Sequence, residues 1–259
     1  MINQRPCTDR IMQSFSDAFM EACDGSPSHH LKDISSELLF KLYDESFILE
    51  LYGLAQNNDP VLIYGESGTG QSLIAKTIHL LSPRRDKPFE KCDCLLLDDA
   101  VFYHESKQLA RKVAGGTLFI DKVAEASPTK QAQLHFVLER QRDMKIISTT
   151  DADLRKAALS GTFHDGLFFQ LSTFSVNLPT LKERIIVSPD IINLYFNQLY
   201  FKSGNIKIDG SALSKLLAYP YRGNYIELDN ICRYIEVNDH DGIVTVDDLP
   251  EPLRDYMPA

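Results

Sequence analysis

The stretch VLIYGESGTGQSLIAKTIHLL, residues 61–81, decides how this chain is read. Four apolar residues, 61–64, form a short buried strand in expectation. A glycine-rich turn follows: Gly65, Glu66, Ser67, Gly68, Thr69, Gly70, Gln71 and Ser72. Apolar positions then recur at helical spacing through Leu81. Strand, glycine loop and helix in that order suit a phosphate-binding loop. The glycines let the backbone wrap closely around phosphate oxygens, and N–H groups at the helix N-terminus point at the anion. Ser72 stands where a hydroxyl ligates magnesium. The pattern GxxxxGK[ST] is met everywhere except at the lysine, where Gln71 stands. A neutral amide cannot balance the charge of the β- and γ-phosphates. On its own, then, the loop reads equally as a phosphate cradle or as a glycine turn that binds nothing.

Working outward, GGTLFID (115–121) is a second buried strand and ends in Asp121, where a magnesium-binding acid is needed. KIIST (145–149) is a third, and QAQLHFVLERQ between them has helical periodicity. Strands alternating with helices predict a parallel sheet with crossover helices. Lys122 follows Asp121, at the place where a hydrolysing site wants a glutamate to polarise water. A protonated lysine cannot serve as general base near neutral pH, although it could reach a phosphate and supply part of the missing charge.

Residues 37–58 are predicted helical. In 9–23 a further helix gathers Ile11, Phe15, Ala18, Phe19 and Ala22 on one face, either to pack on the body or to dock on a partner. GSPSHHLKD (25–33) reads as a linker. From 188 onward the pattern is helical, with segments at 190–202, 211–219 and 224–238 and breaks at Pro220 and Gly223.

Composition bounds the rest. A chain of 259 residues, 44% hydrophobic and 24% charged, is globular, with one large or two small domains. A net charge of −9 argues against a stand-alone nucleic-acid binder, which needs cations to replace counterions. Cys7, Cys23, Cys92, Cys94 and Cys232 are odd in number and lack CxxC spacing, so free thiols are expected. His79, His104 and His135 show no metal-ligand spacing. No apolar run reaches about 18 residues, the length of a membrane span. The N-terminus has no signal-peptide core, so a cytoplasmic location is expected.

Four segments in order carry a resemblance: 61–89, AGGTLFIDKVAEASPTKQAQLHFVLER (114–140), GTFHDGLFFQLSTFSVNLPTLKER (161–184) and LLAYPYRGNYIELDNICRYI (216–235). Together they resemble the AAA+ domain of sigma-54-dependent transcription activators, the bacterial enhancer-binding proteins, over roughly 45–250. The resemblance implies an α/β fold, a P-loop AAA+ three-layer α/β/α parallel sheet followed by a small all-helical lid. Its parts are an N-terminal extension (1–36), the nucleotide-binding-like subdomain (37–187) and the lid (188–259). Active members of that family hydrolyse ATP in a ring, usually a hexamer, and remodel RNA polymerase held closed by sigma-54.

Against that pattern the departures are specific. The loop lysine is Gln71 and the acid after Asp121 is Lys122. The family's FREDLYYRL-like segment, with two arginine fingers, reads FHDGLFFQL here, placing His164 and Gln170 at those positions. Loss of an arginine finger costs about 10³–10⁵ in rate. The sensor arginine of GNVREL is Ile226. Only 20 residues separate Cys94 from Gly115, so the insertion with the sigma-54-contacting GAFTGA loop is missing. The hairpin between the 129–141 helix and the third strand is cut to RDM. The chain stops at DLPEPLRDYMPA without a helix-turn-helix pair, an ending expected either of a short whole protein or of a piece whose DNA-binding end has been removed. The glycines, Ser72, Asp121, Thr149 or Thr150, and Arg184 remain.

The resemblance therefore implies a degenerate member: a pseudo-ATPase acting in transcription regulation through protein–protein contact, without ATP hydrolysis or direct sigma-54 remodelling. No catalytic residue and no metal site are assigned. The cofactor-binding candidates are residues 65–72 and Asp121, toward ATP or ADP with magnesium. The expected partner is a protein, either an active AAA+ relative or a second copy, with no direct DNA binding and no membrane. The alternative is a nucleotide-binding or slow ATPase activator domain that uses Asp121, Ser72 and the Lys122 cation.

Overall fold

The computed structural model describes residues 5–24, 31, 34–96, 98–140, 143–200, 206–238 and 242–257. The expected linker histidines, His29 and His30, lie outside them. The described residues divide into two compact units. One comprises those of Met1–Ala22, Ser46–Glu66 and Gly70–Leu178. The other comprises those of Cys23–Glu45, Ser67–Thr69 and Pro179–Ala259.

The first unit is built on a parallel sheet of β1 (Val61–Tyr64), β2 (Phe89–Asp93), β3 (Thr117–Asp121), β4 (Lys145–Thr150) and β5 (Phe174–Asn177), in the order β2-β3-β4-β1-β5. All four pairings are parallel. Every residue of β3 and β4 is buried, so both faces of the sheet centre are covered. That is why β3 carries an unbroken Leu118-Phe119-Ile120 run and β4 an Ile146-Ile147 pair, with the polar residues toward the strand ends. The two edge strands were not predicted. β2 buries only Cys92 and β5 only Val176, so neither carries the apolar run that marks a central strand.

Helices α1 (Arg5–Cys23), α2 (Ser36–Leu42), α3 (Glu45–Ala55), α4 (Gln71–Leu81), α5 (Asp99–Lys112) and α6 (Pro128–Arg140) follow in chain order. The helix predicted over 37–58 is interrupted at Tyr43, the C-cap of α2, and resumes at Glu45. Phe15, Ala18, Phe19 and Ala22 of α1 are buried and Ile11 is half-buried. The apolar face of α1 is thus covered by the chain itself, which removes the reason to reserve it for a partner. Between Cys94 and Gly115, where a long insertion would fall, stands α5. Asp98 caps it by accepting from the Ala100 N–H at 2.9 Å, and Arg111 and Lys112 close its last turn. Phe102, Ser106 and Ala110, four apart, form its buried stripe. Short helices α7 (Leu154–Leu159) and α8 (Asp165–Leu171) complete this unit.

Gly116 sits where the chain enters β3. A Cβ there would lie 2.2 Å from the Pro88 carbonyl oxygen, which already accepts from the Thr117 N–H at 2.9 Å. Backbone meets backbone, so no rotamer change relieves the clash. Gly116→Ala is expected to cost about 3 kcal/mol, the upper end for overpacking, read as a lowered urea midpoint.

The second unit carries α9 (Leu181–Val187), α10 (Ile191–Tyr195), α11 (Gly210–Ala218), α12 (Asn224–Asn238) and α13 (Glu251–Arg254). Thr180 and Glu183 form a capping box that fixes the start of α9. The helix predicted over 190–202 begins as α10 and continues as a π turn, Phe196–Tyr200. That five-residue step brings the Tyr195 and Tyr200 hydroxyls onto one oxygen of Asp229, at 2.6 and 2.8 Å. α2 belongs here too: the Ser35 N–H donates to Gln198 Oε1 at 3.1 Å and Lys41 pairs with Asp190. The lid was expected to be all-helical. It also holds a two-residue parallel pair, β6 (Lys207–Ile208) with β7 (Ile243–Val244). The five cysteines are free thiols, and only Cys7 is exposed.

Candidate functional site

In the first unit the chain leaves β1 at Tyr64, and the Gly65 N–H donates to the Thr150 carbonyl at 3.1 Å. Gly70 caps α4 in a left-handed conformation, φ 91°, which a side chain would disfavour. Gln71 opens the helix but does not reach outward. Its Nε2 donates to the Thr150 carbonyl at 2.9 Å and approaches the Ile63 carbonyl at 3.4 Å, so the amide is spent on the strand ends. Ser72 is exposed in the first helical turn.

Asp121 ends β3 and is buried. Both its oxygens are engaged. Oδ1 accepts from Thr149 Oγ1 at 2.6 Å, and Oδ2 pairs with Lys91 Nζ at 2.6 Å. Lys91 also lies 3.3 Å from Asp93 Oδ2 and 5.9 Å from the centre of the Phe119 ring. The β2–β3 register explains the cluster: Lys91 pairs with Phe119 and Asp93 with Asp121, so all four share one face of the sheet. Burial alone would lower the Lys91 ammonium, but the Asp121 and Asp93 carboxylates outweigh it and raise its pKa above the usual lysine value. Sequence reasoning missed Lys91. The available signal was the alternation of Lys91 and Asp93 in FEKCD, which becomes legible only once that segment is known to be a strand.

Lys122 adopts a left-handed conformation, φ 54°, and its N–H donates to Thr149 Oγ1 at 3.0 Å, leaving the side chain exposed. Of the two threonines predicted on the sensor strand, Thr149 therefore serves Asp121. Thr150 instead exchanges bonds with Ala152 through its hydroxyl.

The residues at the expected finger positions are turned inward. His164 Nδ1 accepts from the Leu167 N–H at 3.1 Å and caps α8, while its own N–H donates to Gln131 Oε1 at 2.8 Å. Gln170 Oε1 accepts from His135 Nδ1 at 2.8 Å, and the two imidazoles pack with centroids 4.7 Å apart. No cation is offered at either position.

Within the second unit, Ser67–Thr69 cluster with the start of α12. Asn224 Nδ2 donates to the Ser67 carbonyl at 3.0 Å, and the Tyr225 N–H donates to the Gly68 carbonyl at 3.1 Å. Asn224 Oδ1 in turn accepts from the Leu181 N–H at 2.9 Å. Gly68 is left-handed, φ 82°, and a Cβ on it would lie 2.2 Å from the Gly223 carbonyl oxygen. Asn224 is thus the second residue that sequence reasoning passed over. The Arg184 guanidinium lies 4.9 Å from the centre of the Tyr43 ring, and Ile226 is 59% exposed. Among the described residues, no group of three or more His, Cys, Asp or Glu could hold a metal ion.

A parallel sheet with a glycine loop after β1, an acid ending β3 and a helical lid defines the P-loop AAA+ class. Within that class, this chain belongs to the sigma-54 interaction domain family: residues 47–181 match the Sigma-54 interaction domain and 189–258 match the AAA+ ATPase lid domain. It is 30% identical over 222 residues to a Nif-specific regulatory protein of Azotobacter vinelandii, covering 75% of this chain and 42% of that protein. It is 32% identical over 215 residues to the Nif-specific regulatory protein of Enterobacter agglomerans, covering 72% and 42%. The chain thus spans less than half the length of these curated relatives. NtrX from Brucella abortus in complex with ATP superposes with a TM-score of 0.71 at 26% identity, covering 85% of this chain and 56% of NtrX. Its complex with ADP gives 0.70 at 27%, covering 78% and 52%. No helix among the described residues is long and apolar enough to cross a membrane.

Proposed function

We propose that this chain is a non-hydrolysing AAA+ regulator of transcription that acts by contact with another protein, foremost an active relative of its own family. The observation that carries this reading is that the polar groups at the hydrolytic positions are bonded to the chain itself. Asp121 is held by Lys91 and Thr149, Gln71 by strand carbonyls, and His164 and Gln170 by α6 and α8. Lys122 stands where a base is needed and cannot accept a proton while charged. The residues fit a phosphate group in part. Gly68 and Gly70 keep the left-handed backbone that turns N–H groups toward an anion, and the similar NtrX has been crystallised with ATP and with ADP. They do not fit the magnesium ion of such a nucleotide, because its acid is already paired. Nucleotide binding without turnover is therefore part of the reading.

Two measurements test it. ATP hydrolysis by the purified chain is expected to stay at the buffer rate, and turnover that Asp121→Asn abolishes would sink the proposal. In calorimetry, Gln71→Lys is expected to tighten ATP binding about 10–100-fold, the value of one charge-assisted contact to phosphate, without restoring hydrolysis.

A further inference from the structure

We propose that Lys91 is a built-in counter-ion that occupies the cation position at Asp121 and keeps divalent metal out of it. The ammonium lies 2.6 Å from Asp121 Oδ2 and 3.3 Å from Asp93 Oδ2, so it bridges two carboxylates from neighbouring strands. The other Asp121 oxygen is held at 2.6 Å by the Thr149 hydroxyl. Magnesium would need an oxygen at about 2.0–2.1 Å in octahedral surroundings. Bound at Oδ2, its double positive charge would lie beside the ammonium, and that like-charge approach opposes binding.

The lysine also has a task of its own. Asp93 and Asp121 are directly opposed in the β2–β3 register, a like-charge pair that destabilises a sheet unless something screens it. Lys91 screens it from within the same face, tethered by its own strand. A metal ion would have to displace a cation that never diffuses away. The lysine reaches its position from the edge strand β2, and its side chain is 45% exposed. Removing its charge therefore opens no core cavity, and far-ultraviolet circular dichroism of each variant checks that the two carboxylates left facing each other have not unfolded it. An anion at the glycine loop would then be met without a metal ion at Asp121. This inference concerns the same end of the sheet as the proposed function but stands on the ion pair alone, and its test uses no nucleotide.

The test is a Mn²⁺ titration of the full chain, with free ion followed by electron paramagnetic resonance. Wild type is expected to bind no Mn²⁺ that depends on Asp121. Lys91→Met removes the ammonium and leaves two facing carboxylates. It is expected to bind Mn²⁺ at least about 10-fold more tightly, the scale on which a neighbour of a metal-binding carboxylate acts. Lys91→Gln keeps a polar side chain without the charge and should show the same gain. Adding Asp121→Asn to either variant should return binding to the wild-type level. Wild-type Mn²⁺ binding that Asp121→Asn removes would overturn the proposal. So would no gain in both lysine variants, or a gain that survives Asp121→Asn.

Discussion

Lys145→Ala is expected to lower the stability of the folded chain by about 3–5 kcal/mol, the range for emptying a large core position and stranding its polar partners. Lys145 is the first residue of β4 and is fully buried. Its ammonium donates to the carbonyls of Leu54, Asn57 and Asp59 at 2.9, 2.8 and 3.2 Å. Leu54 lies in the last turn of α3, whose free carbonyls favour a cation. Truncation leaves those three acceptors without this donor and removes a packed four-carbon stem.

The same residue sets a pH dependence. Burial pulls its pKa down from 10.5 to about 8, opposed by the Asp59 carboxylate and assisted by the Arg84 charge. Between those two values the unfolded chain holds the proton that the folded chain has released. Unfolding free energy contributed by this group therefore rises with pH across that window, by up to about 3 kcal/mol. Below about pH 8 the full cost of burying the charge is present. Urea melts of wild type and Lys145→Ala at about pH 7.5 and 9.5 should thus show a larger difference at the higher pH. Equal differences would show that the amine does not titrate in that window.

Mixing this chain with an active relative is expected to slow ATP turnover at each site that faces it by about 10³–10⁵, the contribution of an arginine finger. His164 is spent on the cap of α8 and Gln170 on His135, so neither can place positive charge on a neighbour's phosphate. Turnover of the relative should fall in proportion to the fraction of this chain incorporated. Carrying His164→Arg and Gln170→Arg together should relieve the inhibition. A relative whose rate is unchanged at saturating concentrations of this chain would sink the proposed partner.

The sequence reading found what burial writes as a continuous pattern. β1, β3 and β4 sit in the middle of the sheet, and each carries an apolar core, Val61–Tyr64, Leu118–Ile120 and Ile146–Ile147. The glycine loop was legible because close backbone approach demands a residue without a side chain, and Gly68 and Gly70 do take left-handed backbone. β2 and β5 escaped notice because edge strands need bury little, and Lys91 escaped with β2. Its meaning depends on Asp121, thirty positions away and joined to it only by strand register. Asn224 escaped for a related reason: its role is to satisfy backbone carbonyl and N–H groups of two distant segments, which leaves no periodic trace. The substituted positions 71, 164 and 170 were visible as departures. Only the folded arrangement reveals that each replacement is hydrogen-bonded inward.

The second unit is assembled from three separated stretches of chain, with α2 and Ser67–Thr69 completing what Pro179 and its successors begin. A contiguous fragment from 179 onward lacks the Ser35 amide and the Lys41 ammonium, the partners of Gln198 and Asp190, and the loop carbonyls that Asn224 and Tyr225 bind. The lid is therefore not a transferable cassette. Exchange between family members by recombination at a single breakpoint would carry only part of it, so Ser67–Thr69, α2 and the lid helices are constrained to diverge together.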